Sequence, residues 1–173
     1  MNRDNIKKIL ITSNINKGDT VVLHGNLGSI NQIQETNLNK LPFFFKVLIS
    51  YLGKKGTILV PSFTYGFCKK ENFNVQNSKT YISDFSEKCR HLKIFHRSYH
   101  PIFSFLIYGF KKKYYLNSDL TTCFGVNSIF DLMKKDNAKL CGLGCKLDGM
   151  LTFMHHIEEE MNIKYRYLKF FSG

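Results

Sequence analysis

Residues 18–25 have the sequence Gly-Asp-Thr-Val-Val-Leu-His-Gly, and the fold prediction starts from this stretch. The β-branched and apolar residues from Thr20 to His24 predict a buried strand. The small residues from Gly25 to Ser29 predict a loop at its carboxyl end, where open α/β sheets place their ligands. The glycines of this loop allow close approach of the backbone to a neighbouring group.

A βαβ unit extends from this strand. Apolar residues recur at helical spacing from Leu38 to Leu52, and Gly53 ends the predicted helix. A second buried strand is predicted over Thr57 to Val60, and Pro61 prevents its continuation as a central strand. Two strands joined by a helix are expected to pair in parallel.

The remaining pattern alternates strands and helices. A helix precedes the first strand over residues 5–11, and polar residues from Lys69 to Ser83 predict a long functional loop. The other predicted elements are a short helix from Ser83, a strand over Ile102–Tyr108, helices over Lys111–Asn117 and Asn127–Lys135, a strand over Ala138–Leu143 and a helix over Leu151–Ile163. This order predicts a layered α/β/α fold with a largely parallel or mixed central sheet.

Composition limits the protein class. The chain has 173 residues, which suits one domain, and its 25 Lys and Arg against 13 Asp and Glu leave a net charge of +12. Such a charge favours anionic partners without choosing between nucleotides, phosphorylated cofactors, nucleic acid and lipid. The odd number of cysteines and the lack of an apolar signal segment or membrane span predict a reduced, soluble, cytoplasmic protein.

Residues 152–161, Thr-Phe-Met-His-His-Ile-Glu-Glu-Glu-Met, hold the densest group of titratable side chains. On a helix, His155 shares a face with Glu158 or Glu159, and His156 points elsewhere. A histidine oriented by a carboxylate is a suitable general base. Spacing alone favours the simpler interpretation, in which the glutamates form a solvated helix face.

Other chemical interpretations are weaker. Cys141, Cys145 and the two histidines do not have an established zinc-ligand spacing, and Cys123 or Cys145 is more readily a buried small side chain than a nucleophile. The basic and aromatic run at residues 111–115 lacks a nucleic-acid motif. The loop from Gly25 to Gly28 lacks the dinucleotide and P-loop patterns, although it can cradle a phosphopantetheine.

Five blocks occur together in one order. They are residues 18–24, 56–65, 97–101, 124–128, and Gly142-Leu143-Gly144 followed by residues 152–158. With these blocks the chain resembles the aminoglycoside 3-N-acetyltransferase family from about Gly18 to its end. The resemblance implies an acetyl-CoA-dependent N-acyltransferase with a layered fold distinct from the GNAT type.

The resemblance also implies site residues. His155 matches the histidine that activates the amine, Glu158 matches its nearby acid, acetyl-CoA is the co-substrate and no metal is required. The implied cofactor-binding residues are Gly25, Asn26, Leu27, His100, Phe103 and Ser104. The implied substrate-binding residues are Thr64, Tyr65, Asp148 and Glu159.

Three features depart from the family pattern. Phe103 stands where many members carry a second histidine, and Gly25-Asn26 replaces a pair of serines. Family members continue beyond the block at residues 165–171, so residues 1–173 are expected to form a single acetyltransferase-like domain without its C-terminal portion.

Net charge bears on the substrate. An aminoglycoside is a polycation and suits an acidic cleft, whereas the charge of +12 favours an anionic nucleotide-linked amino sugar. Either is a small-molecule amine, and neither nucleic acid nor a membrane is an expected partner. The alternative is an inactive, truncated basic module that binds anionic ligands through Lys111 to Lys113. The oligomeric state is left open.

Overall fold

The structure, a computed structural model, describes residues 1–34 and 39–171, without the side chains of residues 147–149. The α-helices are α1 (Arg3–Thr12), α2 (Leu27–Asn31), α3 (Lys40–Leu52), α4 (Asp84–Arg90), α5 (Lys112–Leu116), α6 (Ile129–Lys135) and α7 (Met154–Glu160). The strands are β1 (Thr20–Gly25), β2 (Thr57–Pro61), β3 (His96–Arg97), β4 (Phe105–Gly109) and β5 (Lys139–Leu143), and 3-10 helices span Phe67–Lys69 and Leu147–Phe153.

The strands form one mixed sheet in the order β3-β4-β2-β1-β5. Strand β1 pairs in parallel with β2, which confirms the βαβ prediction, and also in parallel with β5. Strand β4 runs antiparallel to both β2 and β3. The predicted mixed sheet is therefore confirmed.

Helices cover both faces of the sheet. Val21 and Leu23 of β1 pack with α1, α3 and α4 on one face, whereas Val22 packs with α5 and α6 on the other. Alternate residues of a strand point to opposite faces, so a strand that is apolar throughout is buried on both sides. This arrangement confirms the predicted α/β/α layers.

Two boundaries differ from the sequence prediction. Strand β4 begins at Phe105 rather than Ile102, because His100 Nδ1 accepts hydrogen bonds from the amides of Ile102 and Phe103 and holds them in a turn. The predicted loop at 25–29 contains the short helix α2, since the Asn26 side chain caps it by accepting from the Gly28 amide at 2.7 Å.

The last predicted helix also differs from its sequence prediction. The predicted helix over Leu151–Ile163 is the 3-10 helix from Leu147 followed directly by α7, which ends at Glu160. Strand β3 was not predicted, because two residues are too few for a periodic pattern. Over the described ranges, no helix is both long and apolar enough to cross a membrane.

Candidate active site

The topology brings the ends of several strands to one edge of the sheet. Strands β1, β2 and β5 are parallel, so their carboxyl ends at Gly25, Pro61 and Leu143 lie on that edge. The antiparallel β4 begins there, because Phe105 pairs with Pro61. The segments that carry the predicted site residues all connect to this edge.

The loop that leaves β5 packs directly on the turn that leaves β1. The Asn26 amide donates to the Leu143 carbonyl at 2.9 Å. Gly144 has a φ of 66° and lies against the Ser29 side chain, so both the backbone angle and the space require glycine. The predicted cofactor segment at Asn26 and the segment that leads to α7 are therefore joined.

The predicted His155–Glu158 contact is present on α7. His155 Nδ1 lies 2.9 Å from Glu158 Oε2, and the His155 side chain is 41% exposed while that of Glu158 is 19% exposed. The spacing of three residues produces this contact because such positions adjoin on a helix. The catalytic role of the pair remains a prediction.

Tyr165 and Arg166, which follow α7 in the chain, also bind Glu158. Tyr165 donates its hydroxyl to Oε1 at 2.8 Å, and Arg166 Nη2 donates to Oε2. The hydrogen bonds from His155 first and then Tyr165 hold the pKa of Glu158 below its usual value, and Arg166 adds to this effect. The carboxylate is therefore ionised and oriented at neutral pH.

His156 points away from His155, and its side chain faces the protein interior. Its side chain is buried, and Nδ1 lies 2.6 Å from the Phe124 carbonyl. His156 Nε2 has no hydrogen-bond partner among the described residues. The two adjacent histidines thus occupy different environments.

Aromatic contacts connect His155 to the predicted cofactor loop. The ring centroids of His155 and Phe124 lie 5.3 Å apart, and those of Phe124 and Phe103 lie 4.8 Å apart. Phe103 in turn lies 6.0 Å from the His100 ring. The structure therefore brings the α7 histidine and the loop at residues 100–104 to the same side of the molecule.

His100 and Ser104 use their side chains within the protein. Both are buried, and burial lowers the pKa of His100 to about 4, so its imidazole is neutral. Ser104 Oγ accepts from Arg97 Nε at 3.0 Å and donates to the Ser62 carbonyl at 2.6 Å. Their contact with the cofactor remains a prediction, and Phe103 has a more accessible side chain than either of them.

Gly25, Asn26 and Leu27 differ in exposure. Gly25 is buried, and a Cβ atom there would lie 2.6 Å from the Phe85 ring, so close packing against α4 explains the glycine. Asn26 is exposed, and Leu27 packs in part against the core. Of the three, Asn26 is the most accessible to a ligand, and their role in cofactor binding remains a prediction.

Arg97 is a structural centre of the site that the sequence analysis did not single out. Its buried guanidinium donates to the Ser62 carbonyl at 2.7 Å and also to the carbonyls of Val75 and Ser78. Burial lowers its pKa to about 10, so the group stays charged at neutral pH. Arg97 thereby ties the long loop at residues 69–83 to the end of β2.

The predicted substrate-binding residues lie in two environments. Thr64 is buried and donates Oγ1 to the Pro101 carbonyl, whereas Tyr65 is exposed. A Cβ atom at Gly125 would lie 2.9 Å from Glu159 Oε1, which puts Glu159 beside the segment that carries Phe124. The side chain of Asp148 lies outside the described residues, and the substrate roles remain predictions.

The alternative chemistries receive little support. The described residues contain no group of three or more His, Cys, Asp and Glu side chains that could hold a metal. Burial raises the pKa of Cys123 to about 11 and also raises that of Cys145, so neither is an activated thiolate. Tyr115 is fully buried and Lys111 pairs with Asp136, which removes both from a stacking surface for nucleic acid.

Two cavities in the described part of the chain, of about 590 and 260 Å³, lie away from His155. The larger is lined by residues such as Gly53 and Gly109, and the smaller lies between α1, α3 and β5. His155 lines neither of them.

The fold and this site define the protein's class. It is a layered α/β/α domain with a mixed sheet, whose strand ends gather an ordered histidine–carboxylate pair beside aromatic loops. Residues 22–171 match the model of the aminoglycoside 3-N-acetyltransferase family. The chain belongs to this family, which confirms the resemblance.

Solved structures share the fold. The aminoglycoside acetyltransferase AAC(3)-Xa is 22% identical, with a TM-score of 0.75 over 91% of this chain and 61% of that one. AAC-IIIb, solved with CoASH, is 20% identical, with a TM-score of 0.76 over 92% and 65%. Sisomicin-bound AAC-VIa is 18% identical, with a TM-score of 0.74 over 91% and 64%.

The match does not extend over the whole of these proteins. The chain spans less than two thirds of the length of each, at 61%, 65% and 64%. A search of the curated proteins found no significant match.

Proposed function

We propose that the protein transfers an acetyl group from acetyl-CoA to an amine of a small molecule, with His155 as general base and Glu158 as its orienting acid. The observation that carries this proposal is the 2.9 Å contact between His155 Nδ1 and Glu158 Oε2. Membership of the family supports it, as does the CoASH complex of AAC-IIIb.

The chemistry follows from the two nitrogens of the imidazole. If Nδ1 donates to Glu158, the lone pair of Nε2 is free to take a proton from the amine. The amine nitrogen then attacks the thioester carbonyl carbon and forms the C–N bond. Collapse of the tetrahedral intermediate breaks the C–S bond, and the imidazolium returns the proton to the departing sulfur. The products are an N-acetyl amine and CoA with its free thiol.

The cofactor proposal relies on the strand-end loops. Asn26 and Leu27 lie beside the loop that leads to α7, and Phe103 connects to His155 through Phe124. Family members with this fold include one solved with CoASH. The positive net charge of the chain favours the approach of the CoA phosphates.

The charges around α7 bear on the amine substrate. Three acids there have cationic partners, since Glu158 binds Arg166, Glu160 binds Lys134 and Asp131 binds Lys135. Among the described acids of α7, this leaves Glu159 to attract an ammonium group. We infer that an amino sugar of low positive charge, such as a nucleotide-linked one, suits the site better than a polycationic aminoglycoside.

We further propose that the domain over residues 1–173 acts with a C-terminal portion of the kind its longer structural relatives contain, and that the protein works in the reducing cytoplasm. All five cysteines are free, which suits that compartment. The alternative function, an inactive basic module, is disfavoured because Tyr115 is buried and Lys111 is paired.

The test compares acetyl transfer by wild type, His155→Ala and a control, His91→Ala. His91 directly follows α4, its side chain is 66% exposed and its ion-pair partner is Glu87, so its loss should leave turnover unchanged. Loss of the general base should lower kcat by about 10²–10⁴-fold without loss of folding. The assay should use the longest chain that can be produced, with monoamino sugars and aminoglycosides as acceptors.

Wild-type turnover in His155→Ala would contradict the assignment of the base. Preference for polycationic acceptors would contradict the substrate proposal alone. Thermal stabilisation by CoA would distinguish the acetyltransferase proposal from the basic-module alternative, because ligand binding to the folded state raises the unfolding temperature. The basic module predicts no such stabilisation and predicts salt-dependent binding to nucleic acid.

A further inference from the structure

His155 Nδ1 has two hydrogen-bonding neighbours that make opposite demands on it. Glu158 Oε2 lies at 2.9 Å, and Arg166 Nη2 lies at 2.7 Å. An ionised carboxylate only accepts hydrogen bonds, and a guanidinium only donates them. Since Nδ1 carries either a proton or a lone pair, it can serve only one of these neighbours at a time.

The choice between them determines which imidazole nitrogen carries the proton. When Nδ1 donates to Glu158, the neutral ring has its lone pair on Nε2, as a general base requires. When Nδ1 accepts from Arg166, the proton of the neutral ring is on Nε2, and that nitrogen has no lone pair with which to take a proton. Both hydrogen bonds involve a charged group, so neither is negligible.

We propose that Arg166 is a positioning residue that sets the tautomer of His155 through its contact with Nδ1. This inference rests on the proposed function, because the tautomer matters when His155 acts as a base. While the guanidinium contacts Nδ1, the imidazole is held in the nonproductive form with its proton on Nε2. The productive form arises when Arg166 keeps its hydrogen bond to Glu158 and breaks its hydrogen bond to His155 Nδ1.

The surroundings of Arg166 allow this exchange without disturbing Glu158. The Arg166 side chain is 45% exposed, so it can change rotamer, while its amide is anchored to the Ile163 carbonyl at 2.9 Å. Tyr165 holds the other carboxylate oxygen, Oε1, at 2.8 Å. A carboxylate oxygen has two lone pairs, so Oε2 can accept from both His155 and Arg166. The conflict is therefore confined to Nδ1.

The test reads the tautomer directly from the nitrogen resonances of the imidazole. Long-range ¹H–¹⁵N correlation spectra of ¹⁵N-labelled protein distinguish a protonated from an unprotonated ring nitrogen. His155 is identified by the signals missing from His155→Ala, and spectra are taken at about pH 8.5, where an ordinary histidine is neutral. The variants are Arg166→Met and Arg166→Ala, both at an exposed position.

The wild type should show a larger fraction of His155 with the proton on Nε2 than either Arg166 variant, in which the proton should lie mainly on Nδ1. Tyr165→Phe is the first control, because it removes a donor to Glu158 without touching Nδ1. Lys164→Met is the second, because it removes a neighbouring positive charge that makes no hydrogen bond to His155 in the described part of the chain. Both controls should keep the wild-type tautomer.

The same tautomer in the wild type and the Arg166 variants would overturn this inference. So would an equal change in Lys164→Met, since it would point to a general effect of charge. These spectra do not depend on turnover. A failure of the proposed activity would appear instead in the acetyl-transfer assay of His155→Ala.

Discussion

The two sides of the candidate site are held in different ways. On one side, the loop at residues 97–104 is fixed by buried groups, with Arg97 and Ser104 both hydrogen-bonded to the Ser62 carbonyl. On the other side, His155 and Glu158 are oriented by Tyr165 and Arg166 on an exposed surface. Buried polar contacts cost more to break than exposed ones, because their partners are left without water.

This difference fits the proposed function. If the loop at residues 97–104 binds acetyl-CoA as proposed, its rigidity suits a cofactor that is the same in every cycle, because the contacts can be made in advance. An exposed acid–base pair can exchange hydrogen bonds and adopt more than one protonation arrangement. The following predictions test whether this contrast between a rigid side and an adjustable side is real.

The largest effect is expected from Arg97→Met on the rigid side. The change removes the guanidinium donor from the carbonyls of Val75, Ser78 and Ser62, of which Ser62 keeps the Ser104 hydroxyl, and we expect a loss of about 3–5 kcal/mol in the free energy of unfolding. Urea denaturation measures it. Arg166→Met is the matched control and should cost less than about 1 kcal/mol. Equal losses in the two variants would remove the contrast.

The pH dependence of stability should come from two histidines, His100 on the rigid side and His24 on β1. Burial lowers the pKa values of both to about 4, from an ordinary value of about 6.5. The unfolded chain therefore takes up protons first on acidification, and stability should fall as pH drops from about 6.5 towards 4, by roughly 3 kcal/mol at most for each group. Denaturation midpoints at several pH values measure the slope.

A variant that lacks both histidines, His24→Gln with His100→Asn, should show a flatter slope between pH 6.5 and 4.5. Below that range Glu87 also contributes, because its hydrogen bond with Arg90 lowers its pKa to about 2 and its stabilisation is lost as pH falls. An unchanged slope in the double variant would count against the burial of these two groups.

A smaller effect is expected from Gly25→Ala at the end of β1. The added Cβ would lie 2.6 Å from the Phe85 ring, and such overpacking costs about 1–3 kcal/mol. Gly28→Ala is the control, because its nearest neighbour is the exposed Asn26 side chain at 3.1 Å. If Gly25→Ala were as stable as the wild type, packing against α4 would not explain this glycine.

The smallest effect on stability is expected from Tyr165→Phe on the adjustable side. Loss of one exposed hydrogen bond should change the free energy of unfolding by less than about 0.5 kcal/mol. The pKa of Glu158 should nevertheless rise, because the Tyr165 hydroxyl helps to lower it after the larger effect of His155. Carboxyl ¹³C shifts followed against pH measure this change, and a lower pKa would contradict the geometry.

Sequence patterns were sufficient to predict the elements whose signals are local. The runs at β1 and β2 and the helical spacing of α3 predicted a parallel βαβ unit, which the structure contains. Helix spacing placed His155 on one face with Glu158 or Glu159, and the family resemblance selected Glu158, which contacts His155 in the structure. The five blocks in their order indicated the family, and residues 22–171 match the model of that family.

Contacts between residues far apart in the chain could be identified only from the folded structure. Strand β4 runs antiparallel, Arg97 reaches carbonyls at residues 62, 75 and 78, and Arg166 competes for His155 Nδ1. Hydrophobic periodicity reports which face of an element is buried but not which distant backbone group a side chain will meet. Hydrogen bonds act over about 3 Å, so these partners are set only when the folded chain brings them together.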